Sequence, residues 1–319
     1  MFSCHRWPAR RDLVCVTVKE GDFLVIKNAL IFSKKNRFLS PIYEYVKDAY
    51  ISFGNRGHSR LDVLKTFPLF CPYSGGSYRI REPLALQAIN DFVPALRTLG
   101  DRVGKKAVSV LTDRDYAERN GAGRAEELAE LFNQYGSDKA TRHGYYIVYA
   151  SILDQLGMDS EINLLEIGLG TNNTDVASHM GIAGRPGASA RAFRDFLPQA
   201  RIFGADVDRR ILFSEERIET FYVDQTDRES FLELDRALPA EMDLMIDDGL
   251  HLPTANINSL WYFLSRIRLG GFAVIEDIPR YPDAALDLWH FIGGILPDRY
   301  DACIVESGQS LMFVLKRVG

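Results

Sequence analysis

Two short stretches hold the residue types best suited to chemistry: Asp247-Asp248-Gly249-Leu250-His251 and Val274-Ile275-Glu276-Asp277. Each acidic pair closes a short apolar run, so each is expected at the carboxyl end of a strand. If the two runs are neighbours in one sheet, carboxylates and an imidazole converge. Hard oxygen ligands of this kind suit Mg2+, which typically keeps several waters and takes one or two carboxylates. A sugar diol can replace two of those waters. The ion would orient the hydroxyls and lower their pKa, leaving His251 to remove the proton from an attacking oxygen. A plainer reading stays open for each residue. His251 can be a helix-start histidine bonded to backbone, and Asp248 and Asp277 can cap helices or bind a cofactor.

The elements that must position these groups are legible from residue 163 onward. Short apolar runs at 164–167, 202–205, 220–223, 244–246 and 272–275 alternate with helical stretches at 188–197, 228–237 and 254–267. Strands read as continuous apolar runs when both faces are covered, and alternation with helices implies a parallel sheet. Two final runs, 302–305 and 311–315, flank Ser307-Gly308-Gln309, a hairpin signal. The expected class is α/β, with a mostly parallel Rossmann-like sheet, a terminal antiparallel hairpin and a smaller α+β N-terminal domain.

That N-terminal part is less regular. Residues 13–32 predict a β-hairpin around Gly21-Asp22. Residues 51–82 are rich in Gly, Ser, Arg and Pro, with a loop at Ser74-Gly75-Gly76-Ser77. Helical spacing runs from Pro83 to Leu99, and a further helix is expected from Arg124 to Tyr135. The Asn120-Gly121-Ala122-Gly123 run suggests a domain division, with an auxiliary unit at 1–123 and a cofactor domain at 124–319.

Leu164-Leu165-Glu166-Ile167-Gly168-Leu169-Gly170-Thr171 ends the first strand of the alternating series. Glycines there let the backbone turn tightly and approach a ligand, and open α/β sheets bind ligands beyond the carboxyl ends of their strands. The Glu-x-Gly-x-Gly pattern resembles the first motif of class I S-adenosylmethionine-dependent methyltransferases. Asp206 closes the second strand, where a carboxylate can accept from both ribose hydroxyls. Asp224 follows the third, positioned to face an adenine amino group. Asp247 ends the fourth. Singly, each can be a turn aspartate; their order and spacing together point to a nucleoside. Asn173 stands where a third glycine is expected, so residues 172–186 read as an insertion and Gly187 as the delayed third glycine. The expected cofactor-binding set is Glu166, Gly168, Gly170, Gly187, Asp206, Asp224 and Asp247.

Further motifs resemble those of the metal-dependent macrolide sugar O-methyltransferases. They are Asp247-Asp248-Gly-x-His251, Gly270-Gly271-Phe-x-Val274-Ile275-Glu276-Asp277, Gly136-Ser137-Asp138-Lys139…His143…Tyr146…Tyr149, and the helix segment Pro186 to Pro198. The resemblance covers about residues 133–280. It implies S-adenosyl-L-methionine as methyl donor and Mg2+ held by Asp248 and Asp277, with Glu276 as a further candidate ligand. It also implies His251 as base beside Asp248, and a saccharide hydroxyl as acceptor. The insertion at 172–186 and the N-terminal 125 residues depart from that family. Lys139, His143 and Tyr146 are candidates to reach the cofactor carboxylate or the acceptor. The competing reading is that Tyr145, Tyr146 and Tyr149 pack a helix on the sheet.

Composition bounds the remaining classes. The 46% hydrophobic and 25% charged content is that of a globular chain. The apolar stretch from Phe23 to Phe32 is interrupted by Lys27 and Asn28, too short and too polar for a membrane span; a cytoplasmic location is expected. Cys4, Cys15, Cys71 and Cys303 form no Cys-x-x-Cys pair, which argues against disulfides and structural zinc. Residues 1–125 carry 21 Lys+Arg against 12 Asp+Glu, and the remainder 17 against 31. The basic part can attract an anionic small molecule or glycan, or simply be a solvated or docked surface. No Asn-Pro-Pro-Tyr or Asp-Pro-Pro-Tyr motif appears and the cofactor part is acidic, so nucleic acid is not an expected partner. A homo-oligomer is compatible with everything read so far. Two further classes stay in view: a nicotinamide-dependent oxidoreductase or epimerase, and a non-catalytic Rossmann-like interaction module. Glu166 ahead of the glycines and the terminal hairpin argue against the first of these.

Overall fold

The computed structural model describes residues 78–280 and 283–319. The hairpin expected at 13–32, the loop residues through Ser77, and Cys4, Cys15 and Cys71 lie outside the described residues. Contacts gather the chain into two units, Met1–Ile89 and Asn90–Gly319; the second contains the site described below. No helix among the described residues is long and apolar enough to cross a membrane.

In chain order the elements are α1 (Tyr78–Val103), β1 (Ser109–Thr112), α2 (Asp113–Asn120), α3 (Ala125–Tyr135), α4 (Tyr145–Leu156), β2 (Asn163–Ile167) and α5 (Ala188–Phe196). They continue with β3 (Arg201–Asp206), β4 (Ser214–Glu215), β5 (Ile218–Tyr222), α6 (Arg228–Asp235) and β6 (Met242–Asp247). The last are α7 (Pro253–Arg266), β7 (Ile267–Pro279), α8 (Asp283–Ile295), β8 (Tyr300–Ser307) and β9 (Ser310–Arg317). The strands form one sheet in the order β1-β8-β9-β7-β6-β2-β3-β5-β4. β5, β3, β2, β6 and β7 run parallel, while β9 is antiparallel to both β7 and β8. This is the mostly parallel Rossmann-like sheet with a terminal antiparallel hairpin expected from the sequence. β1 extends it beyond β8, so residues on both sides of position 123 enter the same sheet.

Local chemistry explains where the helices begin and end. Thr112 caps α2 with a reciprocal box: its hydroxyl accepts from the Asp115 N–H at 3.1 Å, and the Asp115 carboxylate accepts from the Thr112 N–H at 3.2 Å. Asp227 caps α6 by accepting from the Glu229 N–H. Pro253 occupies the first turn of α7, where no N–H is needed. Gly136, in the left-handed region, stops α3.

Alternation along the strands builds two cores. Leu164, Ile202, Leu244, Ile246 and Val274 face α3, α4 and α5, burying Phe132, Tyr149 and Phe193. Leu165, Phe203, Met245 and Ile275 face the other helices, with Phe231, Phe263 and Trp289. Both faces are covered, which is why the strands read as unbroken apolar runs. From β2 the chain steps to β3 and β5 on one side and later to β6 and β7 on the other. The carboxyl ends of β2 and β6 are therefore the switch point at which open α/β sheets bind ligands.

Candidate functional site

A cleft of about 1060 Å3 opens at that switch point. Its floor is the turn after β2. Gly168 has φ +99°, and a Cβ there would stand 1.9 Å from the Asp248 carbonyl oxygen. The turn is pinned on both sides. The Gly168 N–H donates to the Ala205 carbonyl and the Asp248 N–H to the Ile167 carbonyl, both at 2.8 Å. Asp206 reaches back under the turn, accepting from the Leu169 and Asp208 N–H groups at 2.8 Å each. Burial raises its pKa. Asp224 also lines the cleft and folds onto its own turn, accepting from the Thr226 N–H at 2.9 Å.

The insertion at 172–186 lies over this cleft, with Val176 to Met180 in its wall. The Met180 N–H donates to the Thr171 carbonyl at 2.8 Å, and the Ser178 hydroxyl to the Gly249 carbonyl at 3.0 Å. Its base is tied by Asp208, which accepts from Thr171 at 2.6 Å and Asn173 at 2.8 Å. Arg210 joins Asp208 at 2.7 Å to Asp175 at 2.9 Å. Gly187 has φ +73° and donates to the Leu169 carbonyl at 2.7 Å, so the late glycine starts α5. Arg210→Ala is expected to raise the rate of limited proteolysis within 172–186 while leaving thermal unfolding nearly unchanged; an unaltered cleavage rate would show that this tether does not hold the loop.

Three potential ligands meet beside the glycine turn. One donor atom each from Asp248, His251 and Asp277 lies within 4.8 Å of the others. His251 Nε2 stands 4.0 Å from Asp248 Oδ1 and 3.8 Å from Asp277 Oδ2. The other oxygen of each carboxylate is occupied. Asp248 Oδ2 accepts from Lys139 Nζ at 2.6 Å, and Asp277 Oδ1 accepts from the Tyr145 hydroxyl. Two free carboxylate oxygens and an imidazole thus face one space, a donor set suited to a divalent ion that keeps water ligands. Backbone strain accompanies the arrangement: His251 and Asp277 have φ of 55° and 53°, a region non-glycine residues seldom occupy. At Asp277 the cause is visible. The β7–β9 register shifts between Ile275 and Ile278, a bulge that parts the Glu276 oxygens, held by Lys139 and Tyr149, from the Asp277 Oδ2 that faces His251.

Behind the cleft lies a buried charge cluster. Lys139 is 1% exposed. Its ammonium donates to Glu276 at 2.6 Å as well as to Asp248, and stands 3.3 Å from Glu166. Burial opposes this charge, but Asp248, Glu276 and Glu166 outweigh it and hold the Lys139 pKa well above the ordinary lysine value. Glu276 also accepts from the Tyr149 hydroxyl. Glu166 accepts from the Ser189 hydroxyl at 2.6 Å, and burial raises its pKa. On the cleft side, His143 stacks on Tyr145 with ring centroids 4.9 Å apart. Its Nδ1 is 3.4 Å from Asp277 and its Nε2 3.6 Å from Asp138. The His143 imidazole beside Asp138 holds that carboxyl below its usual value despite burial.

Of the residues singled out from sequence, Gly168, Gly170, Asp206, Asp224, Asp248, His251, Glu276 and Asp277 line this one cleft. Glu166, Gly187 and Asp247 do not. Glu166 belongs to the Lys139 cluster, and Gly187 is a helix cap. Asp247 is fully buried and accepts from Gln225 at 2.7 Å and Asn256 at 3.0 Å. Lys139 points away from the cleft into the carboxylates. His143 lines it but precedes α4, so it shares no helix face with Tyr146, which packs at the core's edge. Tyr145 and Tyr149 do pack the helix on the sheet, and their hydroxyls also reach Asp277 and Glu276. Asp138, Tyr145 and Gln225 are wall residues without a sequence signal of their own, except that Asp138 sits beside Lys139 in the Gly-Ser-Asp-Lys segment.

No family model matches the chain. Among curated proteins it is similar to the 8-demethyl-8-alpha-L-rhamnosyl tetracenomycin-C 2'-O-methyltransferase of Streptomyces olivaceus, 28% identical over 47% of this chain and 37% of that one. A second Streptomyces olivaceus protein, the 8-demethyl-8-(2-methoxy-alpha-L-rhamnosyl)-tetracenomycin-C 3'-O-methyltransferase, is 30% identical over 54% of this chain and 43% of that one. The mycinamicin VI 2''-O-methyltransferase of Micromonospora griseorubida is 29% identical over 49% and 37%. The matched part is thus less than half of each of these relatives. Among solved structures, a methyltransferase of the mycinamycin biosynthetic pathway, in complex with Mg, SAH and mycinamycin VI, aligns with 24% identity and a TM-score of 0.49. The alignment covers 61% of this chain and 54% of that one. The chain is therefore similar in sequence to sugar O-methyltransferases.

Proposed function

We propose that this chain is an S-adenosyl-L-methionine-dependent methyltransferase acting on a hydroxyl of a saccharide or glycosylated small molecule. One observation carries the reading: the glycine turn after β2 and the cluster Asp248, His251 and Asp277 share a single cleft. The relatives named above, each called an O-methyltransferase of a glycosylated compound, support it.

In this reading the turn at Gly168 to Gly170 receives the nucleoside, Asp206 faces its ribose and Asp224 its base edge. Asp248 Oδ1 and Asp277 Oδ2 would hold a divalent ion such as Mg2+. When bound, that ion supplies a Lewis acid for the acceptor's oxygens. His251 Nε2 takes the proton from the acceptor hydroxyl as its oxygen forms a bond to the methyl carbon. The methyl–sulfur bond breaks and the sulfonium becomes a neutral thioether, so the leaving group needs no acid. The remaining task for the protein is alignment of oxygen, methyl carbon and sulfur. The loop at 172–186 lies over the cleft and limits water there.

Calorimetric titration of the full chain with S-adenosylhomocysteine and, separately, NAD tests the reading. S-adenosylhomocysteine is expected to bind and NAD to give no heat. Binding of NAD alone would favour the oxidoreductase class and discard the methyltransferase assignment; binding of neither would point to an interaction module.

A further inference from the structure

Each carboxylate of the ion-binding cluster is gripped by one oxygen, and both grips come from one short segment. Lys139 holds Asp248 Oδ2 and Tyr145 holds Asp277 Oδ1. The oxygens left over, Asp248 Oδ1 and Asp277 Oδ2, are the two that face His251. The terminal torsion of an aspartate is broad and roughly two-fold. A carboxylate fastened at one oxygen presents the other in a defined direction. Glu276 is treated differently. Lys139 takes Oε2 and Tyr149 takes Oε1, and the residue is 1% exposed. Neither of its oxygens is left for an ion.

We infer that Lys139 and Tyr145 are positioning residues forming the outer shell of the ion site. They preset Asp248 and Asp277, while Lys139 with Tyr149 withholds Glu276 from coordination. The inference rests on the ion site proposed above. It gives a role to the Gly136-Ser137-Asp138-Lys139 segment, whose lysine lies too deep to touch an acceptor. It also explains how four acidic groups near one point divide into two, Asp248 and Asp277, that each keep one oxygen toward His251, and two, Glu166 and Glu276, whose oxygens face internal donors. Metal ligands are commonly oriented by hydrogen-bonded partners, and losing such a partner typically lowers metal affinity by about 10–100-fold.

Mn2+ binding, followed by electron paramagnetic resonance on the full chain loaded with S-adenosylhomocysteine, tests this without reference to turnover. Tyr145→Phe removes one hydroxyl and keeps the ring stacked on His143. A double variant, Lys139→Met with Glu276→Gln, removes the ammonium together with one of its three counter-charges; the buried Glu166 left behind keeps its bond from the Ser189 hydroxyl. Both are expected to weaken Mn2+ binding by about 10–100-fold with affinity for S-adenosylhomocysteine unchanged. A purely structural role would lower the melting temperature and leave Mn2+ affinity alone. Unaltered Mn2+ binding by Tyr145→Phe overturns the inference whether or not the double variant folds. If the unsubstituted protein binds S-adenosylhomocysteine but no Mn2+, the ion site itself is wrong and the inference falls with it.

Discussion

His251→Ala is expected to lower kcat by about 10²–10⁴-fold, the span typical of a lost general base, while S-adenosylhomocysteine binds as before. The imidazole faces the space where acceptor and ion would meet. Its Nε2 faces two carboxylates at 3.8 and 4.0 Å, and its Nδ1 has no hydrogen-bond partner among the described residues. It neither pins the glycine turn nor fills the core. Its backbone is left-handed, a region histidine tolerates better than alanine, so a small loss of stability accompanies the substitution and turnover is measured well below the melting temperature. The measurement is methyl transfer from labelled S-adenosylmethionine to a rhamnosylated aglycone of the kind the relatives use, alongside calorimetry with S-adenosylhomocysteine. A rate within threefold of the unsubstituted protein would remove His251 from the proton transfer. A parallel loss of S-adenosylhomocysteine affinity would recast it as a binding residue.

The second large effect is expected at Gly168. An alanine there must adopt φ near +99° and place its Cβ 1.9 Å from the Asp248 carbonyl oxygen. That oxygen belongs to main chain held by the Asp248 N–H bond to Ile167, so it cannot swing aside as a side chain would. Left-handed strain costs about 1–3 kcal/mol, and overpacking typically adds about 1–3 kcal/mol. A total of about 2–6 kcal/mol is a large part of the stability of an ordinary domain. Gly168→Ala is therefore expected to unfold at markedly lower urea concentration and to lose S-adenosylhomocysteine binding. Gly170→Ala is the informative contrast. There φ is +76° and the nearest atom is Met180 Cγ at 3.0 Å, on a flexible side chain, so only the left-handed strain, about 1–3 kcal/mol, is expected. Equal effects at the two positions would show that conformational strain alone, and not the approach to Asp248, governs the turn.

The strand runs at 164–167, 202–205 and 244–246 and the helices between them lie where their periodicity places them, within a few residues at each end. Those runs are buried on both faces, and burial leaves a continuous apolar record in the chain. Gly168, Gly170, Asp206 and Asp224 were legible as cleft residues, because strand ends in this topology share one edge, whereas Asp247 and Gly187 serve the interior and a helix start. Less legible were elements whose residues answer to distant partners. β1 is a short run recognisable as a strand only because β8 lies beside it. The insertion at 172–186 reads as a break in a motif, while its placement over the cleft depends on bonds to Thr171, Gly249 and Asp208.

What the chain by itself determines is the set of groups delivered to one edge of the sheet: glycines where the backbone must turn, acids at successive strand ends and a histidine three residues beyond a pair of aspartates. Alternation and apolar runs encode that, since they follow from local geometry and solvent exclusion. The division of labour among chemically similar acids is decided only in three dimensions. Glu276 and Asp277 are adjacent in sequence, yet the β7 bulge sends one to Lys139 and the other to the cleft. Asp247 and Asp248 part in the same way, one to Gln225 and Asn256, the other toward His251. The reason is that a carboxylate's role is set by which donors reach its oxygens and how deeply it is buried, and those donors arrive from other elements: Lys139 and Tyr145 from more than a hundred residues away, Gln225 from the turn after β5 and Asn256 from α7.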